Sequence, residues 1–249
     1  MSLLSVQREG AGPTFVWLHG FTQTRASAHQ FRSILAGTRE LWTLDLPGHG
    51  SASALKASLD ETADLVVDAL DGQRVALGGY SFGARVALHV ALRHPDSLNQ
   101  LVLLGATRGI QDERERLERR ERDEALATHI EEIGAPAFLD EWLAQPMFAA
   151  LPVDPLERSA RSSHAEGLAN SLRLAGTGTQ AWLAPLLSSI MVPTLTLAGA
   201  SDIKFAAEAT AIAEGVAVGA TEFIDAAGHA AHLEQPESTA RRIISYLGR

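Results

Sequence analysis

The chain has 249 residues, of which 46% are hydrophobic and 20% charged, as expected for one globular α/β domain with an insertion. Its formal net charge of −9 argues against nucleic acid as a partner, and the absence of cysteine excludes disulfide bonds, thiolate metal sites and a cysteine nucleophile. The first residues lack the basic and apolar regions of a signal peptide, and no apolar run approaches the ~18 residues of a membrane span. We therefore expect a cytoplasmic protein with no membrane partner.

Short apolar runs alternate with helical patterns along most of the chain, which predicts an α/β fold with a mostly parallel, twisted sheet and helices on both of its faces. The predicted strands, in chain order, are 14–18, 41–45, 74–77, 101–104, 192–199 and 220–224. Helices are predicted over 59–70, from Ala84 to His94, between the last two strands, and over 236–247.

After the fourth predicted strand the pattern changes. Charges of both signs crowd residues 111–124, and helical spacing interrupted by prolines replaces strand runs as far as Pro185. An all-helical insertion between two strands of such a sheet is typical of a lid over the strand ends. We predict an α/β core of residues 1–107 and 189–249 and a helical lid of residues 108–188.

The segment Gly79-Tyr80-Ser81-Phe82-Gly83 lies directly between a predicted strand and a predicted helix. Gly-x-Ser-x-Gly in this setting is typical of a nucleophile elbow, a sharp turn that lifts a serine hydroxyl off the end of a sheet. The flanking glycines remove side chains that would clash in so tight a bend. We therefore predict Ser81 as the central catalytic residue.

A serine hydroxyl near neutral pH needs a base, and the base needs an orienting carboxylate. On this fold the three groups follow the chain order Ser, then Asp or Glu, then His. Asp202 follows one predicted strand and His229 follows the next, so we predict a catalytic triad of Ser81, Asp202 and His229.

Other interpretations of these residues stay open. Asp202 could serve as the N-cap of the following helix, which is a common use of aspartate, and His229 could be a loop histidine that caps the last helix. Asp225 lies four residues before His229, expected still on the strand, and is the rival carboxylate. We expect His232 to face the lid cavity or to pack locally.

Stabilising an oxyanion requires two backbone N–H groups. We predict that Phe82, directly after the serine, supplies one, and that Phe21, in the turn after the first predicted strand, supplies the other. We expect His19 to order that turn by hydrogen bonds and His49 to be structural. The remaining histidines lie on helices or helix ends without ligand spacing, so we predict no metal site.

Arginines are concentrated where the predicted pocket is covered. Arg85 lies one helical turn after Ser81, so it can share the face that looks into the pocket. Because arginine is the preferred partner of carboxylates, this distribution predicts a small anionic substrate. The alternative for the lid arginines is a solvated helix with i,i+4 ion pairs, since glutamates interleave with them over 113–124.

The chain also carries several more specific motifs. They are Leu18–Phe21, Leu44–Gly50, the elbow with Arg85, Gly109–Gln111 followed by Glu115-Arg116 and Arg119, Trp142–Phe148, Arg161-Ser162, Asp202–Phe205 and Ala227–His232. Together these motifs, spread over most of the chain, resemble the family of 2-succinyl-6-hydroxy-2,4-cyclohexadiene-1-carboxylate synthases of menaquinone biosynthesis. The chain departs from the family pattern at three places: Gly83-Ala84-Arg85 stands in place of Gly-Gly-Arg, 163–167 in place of an Asn-rich stretch, and Asp112-Glu113-Arg114 adds charge to the first lid helix, which leaves open whether Arg116 or Arg119 binds a carboxylate.

The resemblance implies an α/β-hydrolase fold and the elimination of pyruvate from a substrate with succinyl, ring and enolpyruvyl carboxylates. It implies that Ser81 acts as a base rather than as a nucleophile, and that an enolate oxygen forms in the oxyanion hole. It implies no metal and no organic cofactor. The substrate-binding residues that it implies are Tyr80, Arg85, Arg116, Arg119, Trp142, Phe148, Arg161 and Lys204.

Two other functions remain alternatives because a triad on this fold serves many reactions. The first is a serine carboxylesterase or C–C bond hydrolase that uses Ser81 covalently. The second is a non-catalytic small-ligand receptor, which would not need to retain all three triad residues. We expect a monomer or a small homo-oligomer.

Overall fold

The computed structural model describes residues 2–248, in which seven strands form one sheet. Its order is β1-β3-β2-β4-β5-β6-β7; β1 pairs with β3 in the antiparallel direction, and every other neighbouring pair is parallel. The strands are β1 (Val6–Glu9), β2 (Thr14–Leu18), β3 (Glu40–Leu44), β4 (Val75–Tyr80), β5 (Leu98–Leu104), β6 (Thr194–Gly199) and β7 (Gly219–Ile224). This arrangement confirms the α/β fold class.

Helices cover both faces of the sheet. Within residues 2–248 the α-helices of the chain are α1 (His29–Ala36), α2 (Leu59–Ala69), α3 (Phe82–Arg93), α4 (Glu113–Leu143), α5 (Pro155–Ser159), α6 (Ala165–Ala175), α7 (Ile203–Gly215), α8 (Ala231–Glu234) and α9 (Pro236–Leu247), of which α4, α5 and α6 form a separate group. Alternate residues of β2 enter different cores: Val16 and Leu18 pack in the cluster that contains α2 and α3, whereas Phe15 and Trp17 pack with α1 and α9. Burial on both faces explains the continuous apolar runs of these strands.

Most predicted elements agree with the structure, and the differences have local causes. The predicted strand at 74–77 extends to Tyr80 because Gly78–Tyr80 pair with Val102–Leu104 of β5. The sequence did not predict β1, a four-residue edge strand without apolar alternation, nor the short helices α1 and α8. Asp225 lies in the turn after β7 and not on the strand.

Helices α4, α5 and α6 lie between β5 and β6. Gly134 interrupts α4 with φ 79° and ψ 158°, a conformation that favours glycine, and Pro136 follows it. The two halves of α4 pack on α6 through a separate apolar cluster that contains Ile130, Phe138 and Leu168. Within residues 2–248, no helix is both long enough and apolar enough to cross a membrane.

Phe31 on α1 tests how much this short helix contributes to the core. Its ring is fully buried, 4.9 Å from the ring of Trp17. We expect Phe31→Ala to lower the free energy of unfolding by about 3–5 kcal/mol, because it leaves a cavity. Phe223→Ala is the control: this ring on β7 is 41% exposed, and its loss is expected to cost about 1 kcal/mol or less. Urea denaturation measures both, and equal losses would contradict the prediction.

Two fully buried histidines make stability dependent on pH. Burial, as the largest cause, lowers the pKa of His49 and of His232 from 6.5 to about 3. The unfolded chain therefore binds more protons than the folded chain between these values, and stability falls as the pH drops from 6.5 towards 3. Each histidine is expected to contribute up to about 1.4 kcal/mol per pH unit.

Urea midpoints between pH 7 and pH 4 measure this effect. We expect His232→Asn to reduce the pH dependence, whereas Phe223→Ala, which removes no titratable group, leaves it unchanged. Identical pH dependence of the wild type and His232→Asn would refute the assignment for this histidine.

Candidate active site

The turn between β4 and α3 places Ser81 in a conformation that few non-glycine residues adopt, with φ 50° and ψ −103°. Close packing around the turn enforces it. A Cβ on Gly79 would lie 2.4 Å from the backbone of Gly83, and one on Gly83 would lie 2.3 Å from the carbonyl oxygen of Leu18. Because neither position has room for a side chain, both motif glycines are required for this strand, turn and helix to form.

The structure brings Ser81, Asp202 and His229 together at the carboxyl ends of β4, β6 and β7. Ser81 Oγ lies 3.1 Å from His229 Nε2, and His229 Nδ1 lies 2.8 Å from Asp202 Oδ2. An ionised carboxylate only accepts hydrogen bonds, so His229 donates from Nδ1 and its Nε2 is free to accept the serine proton. This is the geometry of a serine activated by a base that a carboxylate orients.

The competing interpretations of these residues are resolved by their contacts. Asp202 has both of the uses considered, because its Oδ1 accepts the Phe205 N–H at 3.3 Å and caps α7 while its Oδ2 binds His229. Asp225 is exposed and is not the partner of His229. His232 packs locally, fully buried against the rings of Trp17, Phe31 and Tyr80.

Two amide groups border Ser81 without a protein acceptor. Phe82 is the first residue of α3, and Phe21 lies in the turn after β2; among residues 2–248 neither N–H donates a hydrogen bond. Two neutral histidines hold the surrounding loops: His19 Nε2 accepts the Leu46 N–H, and His49 Nε2 accepts the Thr22 N–H. Both are neutral near pH 7 because burial lowers the pKa of each.

A cavity of about 410 Å³ opens above Ser81. Phe21, Phe82 and His229 line it, and so do six of the residues expected to bind substrate: Tyr80, Arg85, Arg119, Trp142, Phe148 and Lys204. Trp142 reaches it from the far half of α4 and packs edge-on against Phe21, with the ring centroids 5.2 Å apart. Trp142 lies in the part of α4 that follows the interruption at Gly134.

The structure does not bring Arg116 and Arg161 into this cavity. The Arg116 guanidinium donates to the carbonyl oxygen of Ile110, 3.3 Å away, and stays on the outer part of α4. Arg161 donates to Thr22 Oγ1 at 2.7 Å and pairs with Glu157 at 3.4 Å. It lines a second cavity of about 590 Å³, which shares only Phe148 with the first.

The cavity above Ser81 is electropositive. Arg85 is buried and donates to the carbonyl oxygen of Ala175 at 3.0 Å; burial and nearby Arg119 lower its pKa to about 10, so it stays charged at neutral pH. Burial raises the pKa of the Tyr80 phenol, which therefore stays neutral. Among the described lining residues, four cations face one carboxylate: Arg85, Arg119, Arg122 and Lys204 against Asp123.

The lining also includes residues that the sequence did not single out as substrate-binding, among them Arg122, Gln145 and Phe205. Arg122 lies three residues after Arg119, so helical spacing places both on one face of the helix. It could not be distinguished from the other charged residues of that helix by sequence alone. Gln145 and Phe205 belong to motifs already singled out. Among residues 2–248 no group of three or more His, Cys, Asp or Glu side chains is arranged to hold a metal ion.

The known proteins that are similar to this chain agree with one another in family and in enzyme name. A family model described as the alpha/beta hydrolase family matches residues 15–242. The 2-succinyl-6-hydroxy-2,4-cyclohexadiene-1-carboxylate synthase of Yersinia pseudotuberculosis serotype O:1b (strain IP 31758) is 30% identical over 255 residues, which cover 98% of this chain and 90% of that protein. A Bacillus subtilis (strain 168) protein, to which the same enzyme name is given provisionally, is 32% identical over 250 residues. The match covers 95% of this chain and 91% of that protein.

Solved structures agree with this similarity. MenH from S. aureus superposes with a TM-score of 0.91 and 31% identity, covering 100% of this chain and 98% of that one. A thermophilic esterase from Thermogutta terrifontis superposes with a TM-score of 0.83 over 98% of this chain and 93% of that one, but at 24% identity it supports the fold alone. The chain therefore belongs to the alpha/beta hydrolase family and, within it, to the family of 2-succinyl-6-hydroxy-2,4-cyclohexadiene-1-carboxylate synthases.

Proposed function

We propose that this protein is a lyase that eliminates pyruvate from 2-succinyl-5-enolpyruvyl-6-hydroxy-3-cyclohexene-1-carboxylate, giving 2-succinyl-6-hydroxy-2,4-cyclohexadiene-1-carboxylate for menaquinone biosynthesis. The observation that carries the proposal is the hydrogen-bonded set Ser81–His229–Asp202 at the floor of a cavity with an excess of cations. The names of the relatives identify the reaction among the many that this fold supports.

The proton to be removed lies on the ring carbon next to the succinyl ketone. Ser81 Oγ takes this proton as it passes its own to His229 Nε2, and Asp202 stabilises the imidazolium that forms. The electrons left on carbon move into the ketone, and the N–H groups of Phe21 and Phe82 stabilise the enolate oxygen. No covalent bond to Ser81 forms in this mechanism.

Collapse of the enolate completes the elimination. As the carbonyl re-forms, electrons shift through the ring double bond and the C–O bond to the enolpyruvyl group breaks, which leaves the conjugated diene. The leaving group is the enolate of pyruvate; protonation of its methylene carbon gives pyruvate, and loss of the proton held by His229 restores the site. The residues present supply every group for this chemistry.

The same proposal assigns the substrate contacts. Arg85, Arg119 and Lys204 bind the carboxylates, while Tyr80, Trp142 and Phe148 shape the cavity around the ring. Residues 108–188 act as the lid, since α4 supplies both Arg119 and Trp142. Arg116 and Arg161 are left out of the proposed substrate site because their guanidinium groups bind elsewhere. The cytoplasmic location and the oligomeric state expected from the sequence stay predictions.

Ser81→Ala is expected to lower kcat by about 10²–10⁴-fold, because it removes the group that takes the ring proton. The assay generates the substrate in situ and follows released pyruvate together with diene absorbance. Ser245→Ala, on the exposed face of α9, is the control and is expected to retain wild-type activity. Mass spectrometry of trapped reactions would refute the lyase mechanism by showing an acyl group on Ser81, and wild-type activity on simple esters alone would support the hydrolase alternative.

Arg85→Met is expected to lower kcat/KM about 10–100-fold, because a charge-assisted hydrogen bond to a substrate carboxylate contributes about 1.5–3 kcal/mol. The matched control is Arg114→Met: this arginine lies on α4, its side chain is 88% exposed, and it pairs with Glu118. Steady-state kinetics gives kcat/KM for both variants, and the two values are compared with that of the wild type. Equal effects would show that the loss at Arg85 reflects net charge and not contact with the substrate.

A further inference from the structure

The turn that carries Phe21 is closed by Gln23 in two ways. The backbone N–H of Gln23 donates to the carbonyl oxygen of Gly20 at 3.1 Å, and its side-chain Oε1 accepts the Gly20 N–H at 2.9 Å. The side chain is buried. The Gly20 carbonyl and the Phe21 N–H belong to one peptide group, and the Gly20 N–H belongs to the preceding one, so the two bonds fix the peptide group that carries the Phe21 N–H and the group before it.

The other end of the Gln23 side chain faces two different elements. Because Oε1 accepts from Gly20, the amide nitrogen is the atom that points away from the turn. Gln23 Nε2 lies 3.2 Å from His232 Nε2 and donates to Glu157 Oε1 at 3.5 Å. His232 lies on α8, three residues after His229, and Glu157 lies on α5. The Gln23 amide therefore connects the turn to both α8 and α5.

Glu157 is a strongly held carboxylate. Its Oε2 accepts the Ala28 N–H at 2.6 Å, and its Oε1 pairs with Arg161 at 3.4 Å. Its side chain is only 12% exposed. Burial raises its pKa while Arg161 opposes that shift, so these partners are what hold its negative charge in place. A buried, partnered carboxylate is a fixed anchor for the Gln23 amide.

The segment after Glu157 docks on the same turn. Ser162 N–H donates to the carbonyl oxygen of Thr22 at 2.8 Å, and Thr24 Oγ1 donates to the carbonyl oxygen of Ala160 at 2.5 Å. The chain between β2 and α1 is therefore held on one side by its own glutamine and on the other by residues of α5 and the segment after it. None of the residues named in this network lines the cavity above Ser81, but two of their neighbours do: Phe21, next to Gly20, and Tyr80, whose ring packs against His232.

We propose that Gln23 is a positioning residue for the oxyanion hole, and that Glu157 holds it there, so that docking of α5 on the core aligns the Phe21 N–H. This inference rests on the proposed function, since it assigns to Phe21 the enolate oxygen. An amide aligned in advance stabilises charge that develops only in the transition state, so a loss of alignment lowers kcat and leaves KM nearly unchanged.

The test compares the same substitution at two glutamines. Gln23→Met keeps the length of the side chain but removes its side-chain hydrogen bonds to Gly20, Glu157 and His232. It is expected to lower kcat about 10–100-fold with KM within about twofold. Gln30→Met is the control: Gln30 lies on α1, is exposed, and donates to Glu237. It is expected to leave kcat unchanged.

Exchanging the amide of Gln23 and the carboxylate of Glu157 tests whether the hydrogen bond between them, and not packing alone, is what kcat depends on. In the double variant Gln23→Glu with Glu157→Gln, the carboxylate accepts the Gly20 N–H and the new amide donates back to it. We expect this double variant to recover most of the kcat that Gln23→Glu alone loses by charge repulsion. Wild-type kcat in Gln23→Met, a rise in KM that accounts for the whole loss, or no recovery in the double variant would each overturn the proposal.

Hydrogen exchange gives a readout that does not depend on the reaction. Peptides covering residues 20–28 are expected to exchange faster in Gln23→Met than in the wild type or Gln30→Met. If the wild type releases no pyruvate, the proposed function fails, and exchange alone then decides whether Gln23 and Glu157 hold the turn. Unchanged exchange in Gln23→Met would overturn that coupling whatever the substrate.

Discussion

The close approach of α3 to the ends of β2 and β4 is the contact on which the rest of the site depends. Without side chains at Gly79 and Gly83, the first turn of α3 reaches the backbone of Leu18, the last residue of β2. This approach forces Ser81 into its strained conformation and places the first amide of α3 beside the turn that carries Phe21. The serine and both candidate oxyanion donors are therefore products of one backbone contact.

The arginines on the helices between β5 and β6 have different surroundings on the outer side of these helices and on the side that faces the cavity. On the outer side, arginines are neutralised by glutamates, as Arg173 is by Glu124 and Glu131. On the inner side, Arg119 of α4 pairs with Asp123, whereas Arg122 lines the cavity with no ion-pair partner among residues 2–248. Arg85, which enters the same cavity from α3, also forms no ion pair within those residues. An acidic protein can in this way present a cationic cavity, because the local arrangement and not the net charge of −9 determines the field at Ser81.

The parts of the fold and site that could be predicted depend on local sequence. The elbow is determined by five consecutive residues and its flanking strand and helix, and the buried strands by their apolar runs. The positions of Arg116 and Arg161 could not be predicted, since they follow from partners such as Ile110 and Thr22, which only the folded chain supplies. Gln23 gave no signal either, because its proposed role comes from contacts that join its own turn to two distant elements, α5 and α8.

Asp202 serves helix capping and histidine orientation with the two oxygens of one carboxylate. Active-site residues are commonly a burden on stability, so their removal often produces a more stable but inactive protein. At this position a residue that cannot cap α7, such as alanine, brings no such gain, because losing the cap costs about 0.5–2 kcal/mol. Selection for stability therefore limits this position to the few residue types that cap a helix, and selection for catalysis retains aspartate among them because its second oxygen orients His229.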